Sequence, residues 1–257
     1  MSQTKQINVG KFKEIVRKAT LDYTIKTVQI NVSGEKIWSG MKTETNNVII
    51  FLNYDKNDVI YPINDEISLN FSDPSKNVRP YLDLIADDDT SIFPINISDE
   101  KIMIKSDSAK CNLHHCREDA VTTILMEKDP SSTLKPFLEL PLNTEVVETF
   151  NKIKKIAQRF DKIYFTVKNN EFFVESTDKS VNMCNTINLK LCDLEMNDVT
   201  LLFDFKSFRS ILSIINGNHD DFTAKFNLIK GTAGMILFEN SDCSERYYML
   251  SLIEGEK

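Results

Sequence analysis

The sequence contains few of the residues on which phosphate loops, disulfide frameworks and disordered segments depend. Only seven glycines and seven prolines occur in 257 residues, which argues against glycine-rich phosphate loops and against a disordered chain. The five cysteines are an odd number at irregular spacing, so we expect reduced thiols. No run approaches the roughly 18 apolar residues of a membrane span, and the first ten residues lack the apolar core of a signal peptide. We therefore expect an intracellular protein.

Catalytic signatures are also missing from the sequence. It has no GxxxxGK[ST] or GxGxxG loop, and no GxSxG or HExxH motif. The three histidines, His114, His115 and His219, are too few for most hydrolytic or metal sites. The aspartates at 87–89 are consecutive, so their side chains diverge, which favours a solvated acidic loop over a metal site. We therefore expect a protein that is not an enzyme and that has no cofactor and no metal.

Charge is unevenly distributed along the chain. Helices are predicted near 11–18, 76–86, 149–160 and 205–215, and together they hold ten more cations than carboxylates. Because the whole chain has a net charge of -7, the remainder carries -17. A single cationic helix face is often only a solvated surface. Its recurrence in four helices, within an otherwise acidic chain, favours a polyanionic partner such as a nucleic acid.

The clearest of these helices is predicted over 143–160. Asn143 or Thr144 can cap its start, and Glu145 and Glu148 suit the positive end of its dipole. Apolar residues recur at helical spacing and form one stripe, namely Val146, Phe150, Ile153, Ala157 and Phe160. The opposite side carries only cations beyond Thr149, namely Lys152, Lys154, Lys155 and Arg159.

The two halves of the chain repeat one order of predicted elements: helix, paired strands, strand, helix, paired strands, last strand. Ser33-Gly34 and Asn169-Asn170 are typical hairpin turns, because glycine and asparagine tolerate positive φ. We interpret the order as an internal duplication. The predicted fold is α+β, with antiparallel sheets and two short helices per domain. The expected domains are 1–116 and 135–257, joined by a linker at 117–134.

The run KCNLHHC at 110–116 contains both cysteine and histidine, so the alternatives are a zinc site and a strand. In a strand, Cys111, Leu113 and His115 point to one side, and Cys111 and His115 lie ~13 Å apart. One zinc ion with bonds near 2.0–2.3 Å cannot join them in that conformation. A strand is therefore the favoured interpretation. If the run forms a loop instead, a zinc site remains the alternative.

Four stretches, KFKEIVRKA, ETFNKIKKIAQRFDKIYFTVKNNEFFVES, LLFDFKSFRSILSIING and ERYYMLSLIEGEK, carry a resemblance to a known family. In order and spacing the chain resembles DNA polymerase sliding clamps of the proliferating-cell-nuclear-antigen type, nearest in length and motif order to T4-type phage clamps. The resemblance implies two domains per subunit, with sheets outside and helices inside, and a homotrimeric ring around duplex DNA. It also implies a replication-fork location, a replicative polymerase as partner, a separate ATP-driven clamp loader, and no membrane partner.

The same resemblance assigns residues to three surfaces. The DNA-facing residues would be Lys11, Lys13, Arg17, Lys18, Lys76, Arg79, Lys152, Lys155, Arg159, Lys206 and Arg209. Subunits would join by strand addition between Lys110, Cys111, Asn112, Leu113, His114, His115 and Cys116 of one chain and Ser180, Val181, Asn182, Met183, Cys184, Asn185 and Thr186 of the next. Partner peptides would dock beside Trp38, Met41, Leu125, Leu250, Leu252 and Ile253, although ordinary core packing also explains these apolar residues. The second helix departs from the family pattern, being short and proline-bearing.

Two other functions fit the sequence. One is a monomeric or dimeric viral processivity factor that binds DNA on a single basic face, which predicts direct binding to short linear DNA. The other is a protein-interaction scaffold without a DNA partner. A composition rich in asparagine, lysine and isoleucine is weak support for a phage source.

Overall fold

The computed structural model describes residues 4–63, 65–85, 91–106, 109–122, 124–126, 129, 134–156, 161–177, 186–229 and 233–252. The chain divides into two compact units, one formed by Met1–Glu44 and Ile50–Asp129, the other by Thr45–Ile49 and Pro130–Lys257. The division after Asp129 lies within the stretch that the sequence predicts as a linker. Thr45–Ile49, which the sequence groups with the first domain, belongs to the second unit.

The helices of the first unit are α1 (Val9–Ala19), α2 (Pro74–Asn77) and α3 (Arg79–Ile85). The Asn8 side chain caps α1 by accepting a hydrogen bond from the Lys11 amide at 2.9 Å, which fits the preference for asparagine at the N-cap. Phe12 and Val16 of α1 are fully buried. The single helix predicted over 76–86 is wrong, because the chain forms two short helices separated at Val78. Pro80 lies in the first turn of α3, where its missing N–H breaks no helical hydrogen bond.

The strands of the first unit are β1 (Gln6–Asn8), β2 (Thr27–Ser33), β3 (Lys36–Lys42), β4 (Val48–Asp55), β5 (Ile60–Tyr61), β6 (Ile67–Ser72), β7 (Ile92–Ile97), β8 (Lys101–Lys105), β9 (Lys110–His114) and β10 (Ile124–Leu125). They form one sheet in the order β5-β1-β7-β8-β9 and a second run in the order β4-β3-β2-β6. The short strand β10 pairs with β3, with Leu125 opposite Met41. The strands β1, β5 and β10 are not predicted from the sequence, because two or three residues are too few to show an alternating pattern.

The second unit contains β11 (Leu138–Pro141), α4 (Thr144–Ile156), β12 (Lys162–Lys168), β13 (Glu171–Thr177), β14 (Thr186–Asp193), β15 (Val199–Asp204), α5 (Phe205–Ile215), β16 (Phe222–Leu228), β17 (Gly234–Asn240) and β18 (Glu245–Leu250). Its strands run in the orders β11-β16-β17-β18 and β14-β13-β12-β15. No helix among the residues described is long and apolar enough to span a membrane.

The two units repeat one topology, which agrees with the predicted duplication. The order β4-β3-β2-β6 corresponds to β14-β13-β12-β15, and β1-β7-β8-β9 corresponds to β11-β16-β17-β18. Asn143 caps α4 by accepting from the Val146 amide at 3.0 Å, as Asn8 caps α1. The hairpin between β12 and β13 turns at Asn169 and Asn170, which have φ of 54° and 62°. These positive values are the reason that asparagine suits this turn.

An aromatic cluster forms the core of the second unit. The Phe165 ring is fully buried and lies 5.1 Å from the Phe226 ring and 5.7 Å from the Phe208 ring, centroid to centroid. Phe150 of α4 meets Phe208 of α5 at 5.2 Å in an edge-to-face arrangement. Through these rings, both helices are fixed to each other and to the sheet below.

Candidate nucleic-acid interface

The second unit exposes a row of cations on each of its two helices. The Phe150–Phe208 contact turns one face of α4 and of α5 inward. On the outward faces, Lys152 and Lys155 of α4 and Lys206 and Arg209 of α5 are exposed to solvent. The Asp204 side chain caps α5 through the Ser207 amide at 2.7 Å. The two helices thus present these four cations to solvent.

These four cations have no carboxylate within ion-pair distance in the described part of the chain. Glu148 precedes Lys152 by one turn of α4, yet no ion pair joins them in the described structure. Glu145 and Glu148 make the beginning of the α4 face acidic, and the cationic part follows it. Arg159, predicted to extend this row, lies outside the described residues. The exposed cations of α4 and α5 are therefore available to an external anion.

The cations of α1 differ from the exposed cations of α4 and α5, because each forms an ion pair with a carboxylate. Lys11 Nζ lies 3.4 Å from Asp58 Oδ1, and Lys13 Nζ lies 2.7 Å from Asp83 Oδ1. Arg17 donates to Glu14 through Nε and Nη2 at 2.7 and 2.6 Å.

The remaining first-unit cations are paired as well. Lys18 Nζ lies 3.5 Å from Glu14, Lys76 pairs with Asp73 at 2.8 Å, and Arg79 Nε lies 3.4 Å from Asp83. The Arg79 guanidinium also stands over the Tyr23 ring, 5.2 Å from its centroid, a cation–π distance.

Glu14 shows how strongly these charges interact. Partial burial alone would raise its pKa, but hydrogen bonds and attraction from Arg17 and Lys18 hold the pKa below its ordinary value. Glu14 is therefore ionised at neutral pH and neutralises part of the α1 face.

The charge count over 11–18 omits two of these acids, and only one of them, Asp83, is counted elsewhere, in 76–86. Asp58 follows β4, and Asp83 lies on α3, so neither is counted with α1, whose lysines they neutralise. Only Glu14 is readable from α1 itself, through its i+3 and i+4 spacing to Arg17 and Lys18. The excess of three cations predicted for 11–18 is largely cancelled in the folded unit.

The run 110–116 forms a strand as far as His114. Cys111 and Leu113 are buried, whereas Lys110, Asn112 and His114 are exposed, which is the predicted alternation. No group of three or more histidine, cysteine or acidic residues in the described ranges could hold a metal ion. The strand β9 ends one sheet order of the first unit, and β14 ends one of the second unit. Of the predicted partner segment 180–186, only Thr186 is described, and it begins β14.

The predicted peptide-docking residues are only partly at the surface. Trp38 is half-buried and donates to Ser33 Oγ at 3.2 Å. Leu250 and Leu252 are also half-buried. Met41 is 1 % exposed, and its sulfur accepts from the Gln29 amide, so it belongs to the core and not to a docking surface. The Leu125 side chain and Ile253 lie outside the described residues.

Comparison with solved structures places this architecture among known folds. The chain superposes on A. fulgidus PCNA, solved with the C-terminal region of FEN-1 bound, with a TM-score of 0.68 at 12% identity, covering 99% of this chain and 100% of the other. Proliferating cellular nuclear antigen from Entamoeba histolytica gives 0.65 at 15% identity, with 98% and 100% covered. The beta chain of DNA polymerase III from Streptococcus pneumoniae gives 0.68 at 14% identity, covering 98% of this chain and 66% of that one.

The likeness is one of structure, since identity is at most 15% in these three comparisons. No protein-family model matches the sequence, and no curated protein sequence matches it. The predicted α+β fold with two duplicated domains is confirmed. The chain therefore has, over nearly its whole length, the fold of the DNA sliding clamps.

Proposed function

We propose that this protein is a non-catalytic sliding clamp that encircles duplex DNA as a homotrimeric ring and tethers a DNA polymerase. The observation that carries the proposal is the combination of the clamp fold with four exposed cations on α4 and α5 that have no ion-pair partner among the described residues. Such a surface is unusual in a chain with a net charge of -7. Its partner has to be strongly anionic and accessible to helix faces.

Duplex DNA fits this surface because its phosphates are regularly spaced and independent of sequence. Contacts between lysine or arginine and phosphate give salt-sensitive attraction without base recognition. Such contacts permit sliding, since each base-pair step presents an equivalent set of phosphates. An acidic remainder of the chain repels DNA elsewhere.

Ring closure would use β9 and β14, each of which ends a sheet order in the described part of the chain. We propose that β9 of one subunit adds to β14 of the next, which places the partner edge at Thr186–Asp193 and not only at 180–186. An unpaired edge strand exposes backbone donors and acceptors that favour pairing with another chain. Lys110, Asn112 and His114 would then border the interface.

Client proteins would bind through short peptides. The A. fulgidus protein was solved with the C-terminal region of FEN-1 bound, and by analogy a polymerase tail would dock near Leu250 and Leu252 of the second unit. Because the sequence has no nucleotide-binding loop, opening of the ring would require a separate ATP-driven loader. The proposed place of action is the replication fork.

A threading experiment tests the ring. Fluorescence anisotropy is measured with a labelled duplex of about 30 base pairs, with both ends free or with both ends blocked by biotin–streptavidin. A closed ring enters and leaves over an end, so we expect only weak, salt-dependent binding to the free duplex and loss of that binding on the blocked one, whereas a one-faced factor binds short linear DNA directly. Equal binding to both would favour a one-faced processivity factor. Binding to neither would favour a scaffold without a DNA role.

A further inference from the structure

We infer that the phosphate-binding surface of each subunit is confined to α4 and α5 of the second unit, and that Glu14, Asp58 and Asp83 neutralise the helices of the first unit. The inference rests on the proposed DNA-binding function and assigns the DNA contacts to one of the two units. It differs from an even distribution of contacts over all four helical segments, which the duplicated topology alone would suggest.

The second-unit helices meet the requirements of a phosphate contact. Lys152, Lys155, Lys206 and Arg209 are exposed, and none has an ion-pair partner among the described residues. Binding to a phosphate therefore replaces only water and dissolved ions around these side chains. Each such contact releases counterions from the DNA, and this release is the source of the affinity.

The first-unit helices fail the same requirement. A phosphate that approaches Lys13 meets Asp83 at 2.7 Å from the lysine nitrogen, and near Lys11 it meets Asp58. The carboxylate repels the phosphate and has to be displaced before the lysine can respond fully. Asp83 also pairs with Arg79, so this one carboxylate reduces the positive charge that both Lys13 and Arg79 present to a phosphate.

These acid pairs have a structural role that is separate from DNA. Asp83 on α3 holds Lys13 on α1, and Glu14 holds Arg17 and Lys18 along α1. Lys13 thus links α1 to α3, and Arg17 and Lys18 form ion pairs within α1, whereas the second-unit cations are exposed to solvent. The two units share one helix order, but the helix cations of the first unit are in ion pairs and the four named cations of the second unit are not, in the described part of the chain.

Matched double substitutions test the asymmetry through the salt dependence of duplex binding. K206A/R209A removes two charges from α5, K11A/K13A removes two from α1, and K36A/K168A removes two exposed strand lysines as a control. Two lost phosphate contacts lower the slope of log K against log salt by about 1.8. We expect that change for K206A/R209A and a change below about 0.5 for the other two, with all three folded by circular dichroism. Equal slopes for the α1 and α5 variants would overturn the inference.

A second test restores charge to the first unit. D58N removes the partner of Lys11 from an exposed loop position, and D65N, which removes the partner of Lys5 at 3.5 Å, is the control with the same change in net charge. We expect D58N to steepen the slope by up to about 0.9, as one new phosphate contact would, and D65N to leave it unchanged. An equal response to both variants would overturn the inference.

The two hypotheses fail differently in these measurements. If the unmodified protein shows no salt-dependent binding, the proposed DNA function fails and the inference fails with it. If it binds, but K11A/K13A lowers the slope as much as K206A/R209A, the DNA function stands and only the asymmetry is wrong.

Discussion

A proline at Asn112 should break the proposed ring without unfolding the subunit. The His115 amide donates to the Glu100 carbonyl at 2.8 Å, and the antiparallel register pairs Met103 with Asn112. Because backbone groups alternate sides along a strand, the groups of Leu113 and Cys111 face β8. The backbone N–H of Asn112 therefore points to the open edge, so proline removes no hydrogen bond within the subunit.

The size of the effect follows from the number of interfaces. In a closed trimer the lost N–H is absent from each of three interfaces. One backbone hydrogen bond contributes about 1 kcal/mol net, so the ring loses about 3 kcal/mol, or roughly a hundredfold in its association constant. The proline ring also fills space at the edge, which adds to the loss.

Light scattering after gel filtration measures this effect. The unmodified protein and the N112A control should elute with three times the 29.5 kDa mass of the chain, because alanine keeps the backbone donor. N112P should shift to the single-chain mass at low micromolar concentration while its circular dichroism is unchanged. A folded N112P that retains the trimer mass would refute strand addition at β9.

Two further predictions concern the stability of the second unit. F165A should lower the free energy of unfolding, measured in urea, by about 3–5 kcal/mol, because the Phe165 ring is fully buried. F137A removes a half-buried ring and should lower it clearly less. Equal losses would contradict the packing described for Phe165. Burial alone would raise the Glu239 pKa, but hydrogen bonds from Lys225 and Arg246, each 2.6 Å long, hold the pKa below its ordinary value. E239Q should therefore lower the free energy of unfolding by about 2 kcal/mol at neutral pH. This loss should become smaller as the pH falls through the lowered pKa of Glu239, because the unmodified protein then loses the same interaction. A loss that does not depend on pH would contradict this.

Regular elements were predictable where local sequence decides them. The sequence predicts strands at 92–97, 101–105 and 199–204 and a helix at 205–215. β7, β8, β15 and α5 have these bounds, because their apolar periodicity is flanked by turn residues. The break at Val78 was missed, since two short helices and one longer helix present the same apolar spacing around Pro80. The short strands β1, β5 and β10 depend on pairing partners that are distant in sequence.

The candidate site was predictable in position but not in electrostatics. The periodicity of α4 and α5 places their cations on the outward faces, and the structure has them there. The ion pairs of Lys11 and Lys13 are formed with Asp58 and Asp83, which are 47 and 70 residues away in sequence. The count over 11–18 includes neither carboxylate, so it overestimates the positive charge of α1.

Electron microscopy of the unmodified protein tests the central claim most directly. We predict closed, three-fold rings with a central hole wide enough for duplex DNA, with α4 and α5 of every subunit on the inner wall. Particles without a hole, or rings whose α4 and α5 cations face outward, would contradict a clamp that encircles DNA.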